Sequence, residues 1–221
     1  MMPFRNCTSG GKFLTMMHER TAMTSTMTTD GQDGGGTLAA VITGAVAGAI
    51  GVWALDRIDW FMWNHESDET RAQTVGARPG GEPPAQALVS KLEDATGRNL
   101  TRDRHELASQ AVHYSIGIGP AIGYALLRDK LPGRGVARGA AYDAAMFVAQ
   151  DEVLNTVTGL GGKPAAYPWT AHARGIIAHT VYGIATELTL NLLESLGERL
   201  GTGRAVPPSE TGLGFQNSDS I

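Results

Sequence analysis

Cysteine is nearly absent from this chain of 221 residues: Cys7, in a tail, stands alone, so no internal disulfide forms and the redox compartment is not indicated. Positive charge is also scarce. Lys and Arg number 18 against 22 Asp and Glu, a net charge of −4, and no basic stripe interleaved with aromatics appears, which argues against nucleic acid as a partner. Missing too are a nucleophile elbow, a phosphate-cradling Gly-Lys-Ser/Thr loop, a Cys-x-x-Cys pair and the His-Glu-x-x-His signature. The expectation is therefore no enzyme, no cofactor and no metal centre.

The apolar fraction, 42%, is ordinary for a soluble domain, but the polar residues are unevenly spread. They gather in the first thirty-six positions, in Asp56 to Glu106 and at the C-terminus. The amino-terminal tail is rich in Met, Thr and Gly and lacks the compact apolar run of a signal peptide. Met16, Met17, Met23 and Met27 are alternative starts. Residues 1–36 and 200–221, the latter with Pro207-Pro208, hold too little apolar surface to offset chain entropy and are expected to be disordered.

Between the tails lie four quieter segments. From Thr37 to Leu55 the chain carries no charge for nineteen residues, a helix about 28 Å long against the ~30 Å core of a bilayer. Three more segments, 107–127, 139–160 and 173–194, are expected to cross beside it. The fold class is an all-α integral membrane bundle of four transmembrane helices, over residues 37–199. The loop 56–106 is polar and broken by Pro79, Pro83 and Pro84. One short amphipathic helix is expected in it, with Pro84 in the first turn, Leu88, Val89 and Leu92 on one face, and Gly97 closing it. Asp103 and Glu106 resemble a capping pair for the second span, and Gly117, Gly119, Pro120 and Gly123 predict a kink within it.

Gly44, Gly48 and Gly51 line one stripe of the first span, and with Gly117 and Gly123 of the second they suit close helix packing. Trp53, Trp60, Trp63 and Trp169 are placed at the membrane interface. The short turn from Arg128 to Arg138 is basic, which favours that turn and both termini in the cytoplasm. The partners expected are the lipid bilayer and, because four short helices make a narrow bundle, further copies of the same chain.

Polar residues inside the expected spans are the functional clue. His113, Asp143, Asp151, His179 and Glu187 each carry an ionisable group where a charge costs about 2.5 to 3.5 kcal/mol on insertion scales, so they must pair, protonate or line water. Three of them, His113, His179 and Glu187, are expected to turn towards a shared interior. Two readings fit: a proton- or small-solute-handling site, because His titrates near neutral pH, or structural hydrogen bonds in a non-catalytic subunit that packs through its glycine faces.

The spacing of His113, Gly123-Tyr124, Gly159-Leu160, Pro168-Trp169, His179 and Glu187 resembles that of the YagU family of bacterial inner-membrane proteins, a domain of unknown function. The likeness covers Ala111 to Glu187. Asp151 stands where a member of that family carries a His, so the position keeps an ionisable side chain. The resemblance implies a multi-pass protein of the bacterial inner membrane and lends no activity.

Overall fold

The computed structural model describes residues 11–202, with side chains over 35–201; Cys7 and the Pro207-Pro208 tail lie outside the described residues. It is all-helical, and among the described residues there is no strand. The helices are α1 (Gly11–His65), α2 (Asp68–Ala77), α3 (Pro84–Thr96), α4 (Arg102–Leu127), α5 (Gly135–Phe147), α6 (Asn155–Val157) and α7 (Trp169–Thr202). A π-helical turn, Val148–Leu154, joins α5 to α6. α1 packs against both α4 and α7, and α7 packs against α5. Two contacts along each seam run in opposite chain order, Gly44–Ala125 with Asp56–His113, Gly51–Thr186 with Asp59–Arg174, Gly139–Glu187 with Asp143–His179, and Pro120–Tyr142 with Tyr124–Arg138, so each adjacent pair of long helices is antiparallel. The result is an up-down-up-down bundle with α2 and α3 at one end.

Several element boundaries differ from expectation. α1 does not stop at Leu55 but runs on to His65, because Asp56 and Asp59 meet His113 and Arg174 on neighbouring helices instead of turning to solvent. Its backbone also begins at Gly11, within the expected tail; no proline stands between Pro3 and Pro79 to stop it. The loop holds a second helix, α2, whose N-cap Ser67 accepts from Thr70 N–H, with Asp68 and Glu69 in its first turn. α3 has Pro84 at its start and left-handed Gly97 at its end; Val89 is buried, while Leu92 stays exposed. Asp103 and Glu106 do not cap α4: its N-cap is Thr101, without a side-chain bond, and Glu106 instead accepts from Arg102 Nε at 3.1 Å. α7 starts at Trp169 and reaches Thr202, longer at both ends than the expected 173–194.

Two helices, 35–65 and Trp169–Gly201, are long and apolar enough to cross a membrane. Four spans were expected. α4 opens on Arg102, Asp103, Arg104 and Glu106, and the α5 segment is broken by the π-turn with Asp151 and Glu152, so neither matches the other two in length and composition.

Charged side chains share the interior with an apolar core that includes Ala47, Val52, Ala121, Tyr124, Tyr182 and Leu190, while large aliphatic side chains remain outside. Asp143, Arg128, Arg174 and Glu187 are buried, whereas Ile42, Ile50, Leu126, Val148, Leu188 and Leu192 are exposed on the outer faces. Small residues let the backbones close up. A Cβ at Gly44 or Gly48 would strike α4 at Ala125 or Ala121, and Gly51 and Gly117 face Thr186 and Val52. Gly139 and Gly183 bring α5 and α7 into backbone contact, each facing the other's carbonyl oxygen. Gly123 has only the Tyr142 hydroxyl near it, at 3.9 Å. α4 continues through Pro120, where Tyr182 Oη donates to Gly117 O at 2.7 Å and Tyr142 Oη to Pro120 O at 3.2 Å. Those hydroxyls give the carbonyls around the proline a donor.

Gly183→Ala forces a Cβ against the Gly139 carbonyl, and Asp143 Cβ at 2.9 Å blocks retreat. It is expected to cost about 1 to 3 kcal/mol. Gly197→Ala, with nothing within 4 Å, is expected to be neutral or to stabilise by up to about 1 kcal/mol. Thermal unfolding of the two variants in detergent checks the contrast.

Candidate functional site

A cavity of about 640 Å³ lies between α4 and α5, floored by α1 and α7 and closed at one end by α3 and the segment after α6. Its polar wall gathers Asp56, His113, Asp143, Asp151 and His179 from four helices and the π-turn. His113 Nε2 bonds Asp56 Oδ1 at 2.8 Å. His179 is held on both sides, with Nδ1 at 3.0 Å from Asp143 Oδ2 and Nε2 at 3.2 Å from Asp151 Oδ2. A neutral imidazole has one N–H, so serving two carboxylates takes the imidazolium or a protonated acid. The three side chains on the cavity wall thus need one proton more than a neutral imidazole and two carboxylates carry.

The π-turn explains how Asp143 and Asp151 reach one histidine. Eight residues apart on a regular α-helix they would point about 80° apart. The wider i→i+5 turn lowers the rotation per residue and swings Asp151 back towards the face of Asp143. Glu152, on the opposite side, holds Oε1 2.6 Å from His172 Nδ1, while His172 Nε2 donates to Pro164 O at 3.1 Å.

A second cavity of about 170 Å³ adjoins the first; Asp59, Pro84, Asp151 and Asn155 line both. Its deep side is Arg174, buried, bonded through Nε to Asp59 at 2.8 Å and also paired with Glu66. Trp63 is half-buried here and stacks beneath two guanidinium groups, Arg174 at 4.9 Å and Arg78 at 5.6 Å from the ring centre. Burial, and then the nearby Arg174 charge, push the Arg78 pKa down. Trp63 is thus a stacking platform and not one of the outward aromatics, whereas Trp53, Trp60 and Trp169 are exposed. Close by, the Leu100 N–H and then His105 Nδ1, at 2.7 Å, hold Glu93 below the usual glutamate range and tie α3 to α4.

Glu187 is not part of the cavity. It is 1% exposed and lies two turns along α7 from His179, in a separate cluster. Arg138 Nη2 bonds Oε1 at 3.0 Å, Tyr124 Oη donates to Oε2 at 2.6 Å, and Arg128 Nη1 stands 3.7 Å away. The structure therefore brings His113, Asp143, Asp151 and His179 to one cavity and places Glu187 in an ion pair of its own. Sequence reasoning missed Asp56, Arg138 and Arg174. Their signal was position: each is a charge within a helix that continues past it. Among the described residues no group of three or more His, Cys, Asp or Glu is arranged to hold a metal ion.

Compared with known proteins, the chain matches no family model, no curated protein and no solved structure.

Removing the Glu187 charge leaves buried Arg138 without its acidic partner. Glu187→Gln is expected to destabilise by about 3 to 5 kcal/mol. The double variant Glu187→Gln/Arg138→Gln is expected to recover part of that loss. Thermal unfolding of the two single variants and the double variant measures the coupling.

Proposed function

We propose that this chain is a multi-pass protein of the bacterial inner membrane, related to the YagU family, with α4 and the α5–α6 segment crossing beside α1 and α7. It handles protons together with a small solute at the His–Asp cavity. The membrane reading is supported by a bundle with charge buried and large aliphatic side chains exposed on all four long helices.

The observation that carries the proton reading is His179 held between Asp143 and Asp151 on a cavity wall. An imidazole flanked by two carboxylates passes a proton from one to the other as the local charge changes. His113–Asp56 is a second such pair on the same cavity. The adjoining pocket, with His172 and Glu152 on its wall, extends the polar lining towards the α2–α3 end. Glu187 serves as a structural counter-charge in this reading, because both its oxygens are already engaged.

The rival reading, a non-catalytic subunit packing on partners through its glycine faces, loses its basis at four of those positions. Gly44, Gly48, Gly51 and Gly117 are all covered by neighbouring helices of the same chain.

His179→Gln and His113→Gln keep hydrogen-bonding capacity but do not titrate. In reconstituted vesicles under a pH gradient, wild-type proton flux is expected to vary with pH as the two histidines titrate. Each variant should flatten that profile, and Glu187→Gln should lower stability without moving it. Wild-type pH profiles in both His variants would defeat the reading.

A further inference from the structure

We infer that the cavity's solute is an amphipathic cation, an amine or quaternary ammonium on an apolar body, admitted sideways between α4 and α5. This rests on the membrane placement proposed above and deepens it by naming the ligand class. A volume of about 640 Å³ falls within the range of small-molecule sites. Most of the wall is aliphatic, from Val52, Leu55, Leu88, Ile116, Leu154 and Leu160.

The polar side of the cavity is acidic. With their carboxylates ionised, Asp56, Asp143 and Asp151 contribute three negative charges against at most two positive ones from His113 and His179, so the balance is −1 with both histidines protonated and more negative once they release their protons. Asp59, the other acid on the wall, shares Arg174 with Glu66. The remaining titratable side chain facing the site is the Tyr182 phenol, which donates to Gly117 O. A cation is favoured in either state, and more so once protons leave. Proton release and cation uptake thus compete for the same carboxylates.

Depth and access agree with that ligand. Asp56 is the first charge after nineteen uncharged residues, so with Thr37–Leu55 in hydrocarbon the acidic groups sit at its edge. An apolar body in the hydrocarbon and a charged head at its boundary is the way amphiphiles lie in a bilayer. The α4–α5 seam is bridged towards the other end, by Arg138–Tyr124 and Tyr142–Pro120. Beside the cavity, Gly119 of α4 has nothing within 4 Å of a side-chain position, leaving the wall open there.

The test uses tetraphenylphosphonium and tetraphenylborate, which share one apolar body and differ in the sign of charge. Equilibrium binding of each to the full-length protein in lipid nanodiscs is measured, with empty discs subtracted. Saturable binding of the cation alone is expected, tightening as the pH is raised until the histidines release their protons. Asp151→Asn should weaken it about tenfold or more, equivalent to losing about 1.4 kcal/mol of binding free energy. Gly119→Phe, which fills the cavity from its open wall and leaves the charges in place, should abolish it. Equal binding of cation and anion, or indifference to pH and to both variants, overturns the inference. If the cation does not bind while vesicle proton flux keeps its pH profile, the ligand class is wrong and proton handling stands. If the cation binds as expected and flux is pH-insensitive, the ligand class stands and proton handling is wrong.

Discussion

Charge buried within a bundle whose outside is aliphatic persists only if each ionised group is answered by another across a helix seam. That condition sets the register of this fold. Arg174 on α7 pairs with Asp59 and Glu66 from the end of α1 and the turn after it, His113 on α4 with Asp56 on α1, Asp143 on α5 with His179 on α7, and Glu187 on α7 with Arg138 on α5. Sliding any long helix by one turn would leave at least one of these charges facing aliphatic side chains. Close contact of Gly139 with Gly183 brings α5 and α7 near enough for two of the pairs to form.

The buried charges divide into two layers with different character. The Glu187 layer is saturated: two arginines and a tyrosine hydroxyl surround one carboxylate, and Arg138 is further fixed on the Arg128 carbonyl at 2.9 Å. Such a group has no spare valence for a ligand. The His179 layer is under-determined, because two acids compete for one imidazole beside open volume. Saturation suits a structural lock. Competition over a shared proton suits a site whose charge changes in use, which is the role proposed for it.

Much of the fold was legible because it rests on local signals. The uncharged run ending at Leu55, the Pro84 and Gly97 punctuation of α3, and the small-residue stripe at Gly44 and Gly48 each follow from spacing and backbone preference. The site was legible only in part. His113, Asp143, Asp151 and His179 stood out as ionisable groups in apolar segments. They were expected to form one polar site, but which of them pair was not readable, because Asp143 and Asp151 share a histidine through a π-turn that an even 100° rotation does not anticipate. The partners of Glu187 were not readable for a related reason: Arg138 and Arg128 read as a turn's basic flank, and only packing shows them folded inward. Asp56 and Asp59 read as the exit from an apolar helix until their partners on α4 and α7 came into view.

In the proposed reading, the aliphatic exterior of all four long helices faces lipid around a charged interior. Spin labels placed singly at Ile50, Leu126, Val136 and Leu188, one exposed position on each of α1, α4, α5 and α7, test it directly in reconstituted bilayers. Power saturation should show all four labels relaxed far more by oxygen, which concentrates in hydrocarbon, than by a water-soluble nickel chelate. Preferential relaxation by the chelate at Leu126 or Val136 would put α4 or α5 in water and contradict the four-span bundle.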